Sequence, residues 1–136
     1  MKKELKCIML VDDNTDDNFF HEWEIKKGYP YVTVVAQQGG LEALDYLKLK
    51  KAHQDLHPDL VFLDINMPGM NGWEFLEEYN KLDEKFKSLA IVIMLTTSEN
   101  PDDRTRAKSM NVAADFKTKP LTQEMLKAVV EKHFVA

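Results

Sequence analysis

Three stretches of the chain are apolar without interruption, and each stops abruptly at polar side chains. Ile8–Val11 ends at Asp12-Asp13, Leu60–Leu63 ends at Asp64, and Ile91–Leu95 ends at Thr96-Thr97-Ser98. Uninterrupted runs of this length are the mark of parallel strands buried on both faces. Two more mixed runs belong at the edges of the same sheet. The pattern predicts strands over Lys6–Val11, Tyr31–Ala36, Asp59–Leu63, Leu89–Leu95 and Val112–Thr118. Between them the periodicity predicts helices over Thr15–Lys27, Leu41–Lys51, Trp73–Leu82, Asp102–Ser109 and Gln123–Phe134. Regular strand–helix alternation implies right-handed crossovers and one parallel sheet covered on both sides. With the apolar runs central, the expected fold is α/β, a doubly wound five-stranded parallel sheet in the order 2-1-3-4-5 with five helices.

Several helix ends are also legible. Asn100-Pro101-Asp102-Asp103 reads as a cap, a first-turn proline and acids facing the positive end of the helix dipole. Thr122 is placed to cap the last helix, whose Met125, Leu126, Val129, Val130 and Phe134 form an apolar face. Phe19, Phe20 and Trp23 are expected to bury one side of the first helix.

Length and composition narrow the picture. At 136 residues the chain is expected to be a single domain, residues 1–136, with no room for an output domain after the fifth helix. A net charge of −5 with dispersed basic residues argues against a nucleic-acid partner. No run approaches the roughly 18–20 apolar residues of a membrane span, and the N-terminus lacks the pattern of a signal peptide. The lone Cys7 lies in the first strand and reads as a buried, inert thiol, in keeping with a reducing, cytoplasmic location.

The polar residues at the strand ends carry the chemistry. In open α/β sheets, ligands bind outside the carboxyl ends of the strands. There the pattern brings Asp12, Asp13 and Asp64, the Thr96 hydroxyl, and Lys119 before Pro120. Clustered carboxylates repel each other and favour a bound cation. Mg2+ is a fitting one, since it takes oxygen ligands and needs only one or two carboxylates. A carboxylate can also attack phosphorus, giving an acyl phosphate. Taken singly, each residue has a plainer use: Asp12 as a helix cap, Thr96 as a turn residue, Lys119 as a solvated side chain. Pro68, Gly69 and Gly72 read as loop geometry. His21, His53, His57 and His133 show no metal-ligand pattern, and Gly39-Gly40 is no phosphate loop.

Taken together, Asp12-Asp13, Asp64 with Met67-Pro68-Gly69-Met70-Asn71-Gly72, Thr96, and Lys119-Pro120 resemble the receiver domains of two-component response regulators, of the CheY-like, flavodoxin-like, stand-alone type. The resemblance implies a phosphoacceptor switch rather than a true enzyme, though one that assists its own phosphorylation and dephosphorylation. Asp64 would accept a phosphoryl group from the phosphohistidine of a histidine kinase or histidine phosphotransfer protein. Asp13, Asp64 and the backbone carbonyl of Asn66 would hold Mg2+, or Mn2+ in its place, with Asp12 acting through a water. Lys119 and Thr96 would meet the phosphoryl oxygens, and Phe116 would follow Thr96 as the switch aromatic. The responding face would be the fourth helix, fifth strand and fifth helix, with Arg104, Lys108, Phe116 and Lys117. That face would bind a downstream protein target or, on phosphorylation, a second copy of an otherwise monomeric chain.

Two departures stand out. Thr97 follows Thr96 where the family commonly has Ala or Gly, and Phe116 stands where Tyr is frequent, which removes a hydroxyl. Asn66 and Ser98 flank the site where the family tunes hydrolysis. Two other classes stay open at this point. An aspartyl-nucleophile phosphatase would need a second acid two residues after Asp64, and Asn66 stands there. An interaction module with the fold but not the chemistry would be expected to have lost part of the acidic pair, the acceptor or the lysine.

Overall fold

The computed structural model describes residues 2–48, 57–82, 90–97, 100–110 and 114–135. In chain order the elements are β1 (Lys3–Glu4), β2 (Cys7–Val11), α1 (Thr15–Gly28), β3 (Thr33–Gln37), α2 (Gly40–Lys48), β4 (Leu60–Leu63), α3 (Gly72–Asn80), β5 (Ile91–Thr96), α4 (Pro101–Met110), β6 (Asp115–Thr118), α5 (Gln123–His133) and β7 (Phe134–Val135). β2 to β6 form one sheet in the order β3-β2-β4-β5-β6, with every pairing parallel. This is the expected order, with the three apolar runs in the middle. The expected helix end at 49–51, the strand starts at 89 and 112–113, and His53 and Ser98 lie outside the described residues.

Alternation along the central strands feeds two cores. Met9, Val11, Val61, Leu63, Val92 and Met94 face α2 and α3, where Leu44, Leu47, Phe75 and Leu76 meet them. Ile8, Leu10, Leu60, Phe62, Ile93 and Leu95 face the other way, onto Ile25, Leu126, Val129 and Val130 of α1 and α5. Each central strand is therefore buried on both sides. Cys7, at the start of β2, is wholly buried. Burial, with the Asp59 carboxylate adding to it, pushes its thiol up to about 12, so the reactive thiolate is suppressed.

The caps form as the sequence suggests. Asn100 Oδ1 accepts from the Asp102 N–H at 2.9 Å, and Thr122 Oγ1 accepts from the Met125 N–H at 3.1 Å. Asn71 and Glu74 close a capping box at the start of α3.

Two expectations are corrected. Phe19, Phe20 and Trp23 do not bury one side of α1: they are 75%, 43% and 53% exposed. The inward face is Asn18, His21 and Ile25 instead. The phase is set at the helix start, where Asn14 Oδ1 caps the N–H groups of Asp16 and Asp17 and Asn18 is drawn onto the Asp12 carbonyl. The aromatics then fall on the outer side, with the Lys27 ammonium 5.1 Å from the Trp23 ring centre. The last helix also stops one residue early. The Phe134 N–H closes onto the Val130 carbonyl, and Phe134 then runs extended as β7, pairing with Lys3 of β1. Phe134 keeps its buried place by this route. No helix among the described residues is long and apolar enough to cross a membrane.

One glycine holds the loop after β4 against the sheet. The Gly72 N–H donates to the Ile65 carbonyl at 2.8 Å. A Cβ on Gly72 would lie 2.5 Å from the Asp64 carbonyl oxygen and 2.9 Å from the Ile65 Cα. Both neighbours are backbone and cannot rotate away. Gly72→Ala should therefore destabilise the fold by about 1–3 kcal/mol, read as a lower midpoint in urea at unchanged slope. A midpoint equal to wild type would contradict the close approach.

Candidate functional site

The strand register assembles the site. Val11 pairs with Leu63, so the next residues, Asp12 and Asp64, leave adjacent strands side by side. Thr96 pairs with Thr118, which puts Lys119 one step beyond the end of β6. The Asp12 N–H donates to the Gln37 carbonyl at 3.1 Å and the Asp64 N–H to the Val11 carbonyl at 3.0 Å, extending the ladder under both acids. The Lys119 N–H donates to the Thr96 carbonyl at 2.8 Å and ties the lysine to the end of β5. The Lys119-Pro120 peptide is cis.

The side chains converge as the sequence predicts for Asp12, Asp13, Asp64, Thr96 and Lys119. One carboxylate oxygen from each of Asp12, Asp13 and Asp64 lies within 4.8 Å of the others. Asp12, Asp64 and Thr96 are buried, and Asp13 is exposed, which leaves the cluster open to solvent on one side. Lys119 Nζ bonds Asp12 Oδ2 at 2.5 Å and Asp17 Oδ2 at 2.8 Å, and stands 3.7 Å from Asp64 Oδ2. The Thr96 hydroxyl hydrogen-bonds the Asp64 carboxyl.

Burial pushes the Asp64 carboxyl above its ordinary value. The Lys119 ammonium pulls it back, the Asp12 charge pushes it further up, and the Thr96 hydroxyl and Ile65 N–H pull it down, leaving a net rise. Burial works against the Lys119 ammonium, but its bonds to Asp12 and Asp17 outweigh that and raise its pKa. Lys119 is therefore firmly charged. Carboxylate oxygens held this close suit a small hard cation such as Mg2+ or Mn2+, which takes oxygen ligands and keeps several waters. Asn66 is exposed in the loop two residues past Asp64, beside the cluster in sequence.

Sequence reasoning missed two groups here. Asp17 reads as an ordinary first-turn acid, yet it is the second anchor of Lys119. Asn18 and His21 are polar residues 5% and 3% exposed on the inner face of α1. Their inward placement has no hydrophobic signature to reveal it. Phe116 is buried, as a strand residue feeding the core should be. The Arg104 guanidinium lies 5.0 Å from the Phe116 ring centre, and its Nη1 donates to the Phe116 carbonyl at 3.3 Å. Together with Ala107, Lys108, Ala114 and Asp115 they line a cavity of about 220 Å3 on this face.

Known proteins share both the fold and the sequence pattern. Residues 8–131 match the family model of the response regulator receiver domain. The probable methanogenesis regulatory protein FilR2 of Methanothrix harundinacea is 33% identical over 129 residues, covering 92% of this chain and 79% of its own. A two component response regulator from Cytophaga hutchinsonii superimposes with a TM-score of 0.86 at 27% identity, covering 96% of this chain and 97% of its own. The Mn(2+)-bound form of response regulator Rcp1 superimposes with a TM-score of 0.73 at 27% identity, covering 93% of this chain and 92% of its own. Sequence match and superposition both run nearly the whole length, and the chain belongs to the response regulator receiver domain family, the phosphoacceptors of two-component signalling.

Proposed function

We propose that Asp64 is the phosphoacceptor and that its donor is the phosphohistidine of a histidine kinase or histidine phosphotransfer protein. The observation that carries this is the convergence on one buried carboxylate of a charged lysine at 3.7 Å and a threonine hydroxyl. Asp64 forms the new O–P bond as the P–N bond of the donor breaks. The departing imidazole keeps the electron pair and takes a proton from solvent. Such transfers depend chiefly on positioning and charge neutralisation. The Lys119 ammonium is placed to turn from Asp12 towards the phosphoryl oxygens, and the Thr96 hydroxyl to donate to one of them.

Asp12, Asp13, Asp64 and the Asn66 backbone carbonyl would hold the cation, as the manganese-bound relative and the spacing of the carboxylates support. When bound, Mg2+ supplies positive charge against the phosphoryl oxygens. The acyl phosphate carries about −1.5 to −2, at most about one charge more than the carboxylate it replaces, and its oxygens draw the Thr96 hydroxyl inward. Thr96 ends β5 beside β6, so the pull reaches Phe116 and the Arg104 stacked on it. The face formed by α4, β6 and α5 then changes for a downstream protein or a second copy of the chain.

Intact-mass spectrometry after treatment with acetyl phosphate tests this. One phosphoryl adduct is expected on the wild type with Mg2+. It should vanish with EDTA and in Asp64→Asn, and fall at least tenfold in rate in Lys119→Ala. An undiminished adduct on Asp64→Asn would place the acceptor elsewhere.

The raised pKa of Asp64 also predicts a pH-dependent stability. A folded-state pKa above the ordinary 3.8 means that the neutral carboxyl suits the fold better than the carboxylate. That contribution is complete below the unfolded value and is lost as pH rises through the folded one. In EDTA at neutral pH, Asp64→Asn should therefore melt a few degrees above the wild type. The gap should close as the pH falls to about 4. A variant that melts lower at neutral pH would show that the ion pair with Lys119 outweighs burial.

A further inference from the structure

Asn18 sits on the buried face of α1, one turn past the helix cap. Its Nδ2 donates to the Asp12 carbonyl at 2.8 Å. That carbonyl belongs to the peptide joining Asp12 to Asp13, so its plane governs how the two carboxylates diverge from the strand end. The orientation of the amide is forced, because a flipped Asn18 would press its oxygen against the Asp12 carbonyl oxygen. Asn18 Oδ1 is then left buried, with no hydrogen-bond partner among the described residues.

Beside Asn18 lies a cavity of about 10 Å3, with Asp12, Asn18, His21 and Asp64 among its walls. A space of that size with several polar walls suits a single water, whereas cavities that stay dry are apolar. His21, three residues on and also facing inward, forms part of the wall. Both positions are ones where a helix packed on a sheet ordinarily carries aliphatic side chains. The aromatics that could have filled them point to solvent.

We infer that Asn18, His21 and one ordered water form a polar seat beneath the acidic cluster. In it Asn18 is a positioning residue for the divalent cation, acting through the Asp12–Asp13 peptide. The inference rests on the metal centre of the proposed function. Groups that orient metal ligands from behind typically change metal affinity by about 10–100-fold when removed.

The test uses the full chain with Mn2+ as the probe, its affinity read from the loss of the free-ion paramagnetic signal and followed alongside thermal melting. Asn18→Leu keeps much the same shape but can neither donate nor accept, and should weaken Mn2+ binding about 10–100-fold. Asn18→Ala provides the same loss of hydrogen bonds in a smaller residue should the leucine not fit. His21→Leu should weaken binding several-fold. Ile25→Ala, one turn further along the same buried face, should lower the melting temperature and leave Mn2+ affinity unchanged. In a crystal structure, an ordered water should lie within hydrogen-bond reach of Asn18 Oδ1. Wild-type Mn2+ affinity in folded Asn18→Leu or Asn18→Ala, or an empty cavity there, would overturn the inference. A wild type that binds no Mn2+ would overturn the metal centre itself, a result distinct from affinity that is present but insensitive to Asn18.

Discussion

Carboxylates that leave neighbouring strands at the same height cannot avoid each other, and Asp12 and Asp64 do so by register. With Asp13 close by, the edge of the sheet gathers negative charge in a partly buried place, where repulsion is poorly screened. Among the described residues, the cation that answers it is Lys119. Lys119 bridges Asp12 and Asp17 and stands near Asp64, so the end of β6, the start of α1 and the end of β4 are bound through a single ammonium. The remaining imbalance makes the site receptive. A divalent ion would relieve the repulsion among the acids, and in the proposed function a phosphoryl group would give Lys119 and the Thr96 hydroxyl a new partner.

The rest of the molecule holds that edge still. Strands buried on both faces fix the height at which each functional residue emerges. Gly72 lets α3 start directly against the Asp64 backbone, and the Asn71–Glu74 capping box fixes that start. The site is also joined to the surface proposed to respond. Thr96 ends β5, Phe116 lies on the adjacent β6, and Arg104 of α4 both stacks on the Phe116 ring and bonds its carbonyl. A movement of Thr96 therefore has a short, packed route to the outside. Because Phe116 has no hydroxyl, that route would work by packing rather than by a side-chain hydrogen bond.

Most of this was legible in the sequence because buried parallel strands leave a distinctive trace. Ile8–Val11, Leu60–Leu63 and Ile91–Leu95 announce both the central strands and the residues delivered at their ends. What escaped is where polarity and position part company. In α1 the simple rule inverts: Asn18 and His21 face inward while Phe19 and Trp23 face solvent. The phase is chosen by the Asp12 carbonyl, which takes a donor from Asn18, and that demand has no signature in hydrophobic periodicity. Asp17 was hidden for a related reason, since a first-turn acid is expected at any helix N-terminus. The β1–β7 pairing was invisible because two-residue strands are too short for a pattern, and Phe134 looks like the last apolar residue of its helix.

Thermal melting of the metal-free protein against rising Mg2+, run in parallel on Asp13→Asn, tests most directly whether unrelieved repulsion at this edge is the constraint that the site is built around. The account predicts that the wild type gains stability with the logarithm of Mg2+ concentration once the site begins to fill. Asp13→Asn, with one acid fewer, should start at or above the wild-type melting temperature in EDTA and gain little from the ion. A wild type whose melting temperature does not respond to Mg2+, or an Asp13→Asn variant that responds equally, would contradict it.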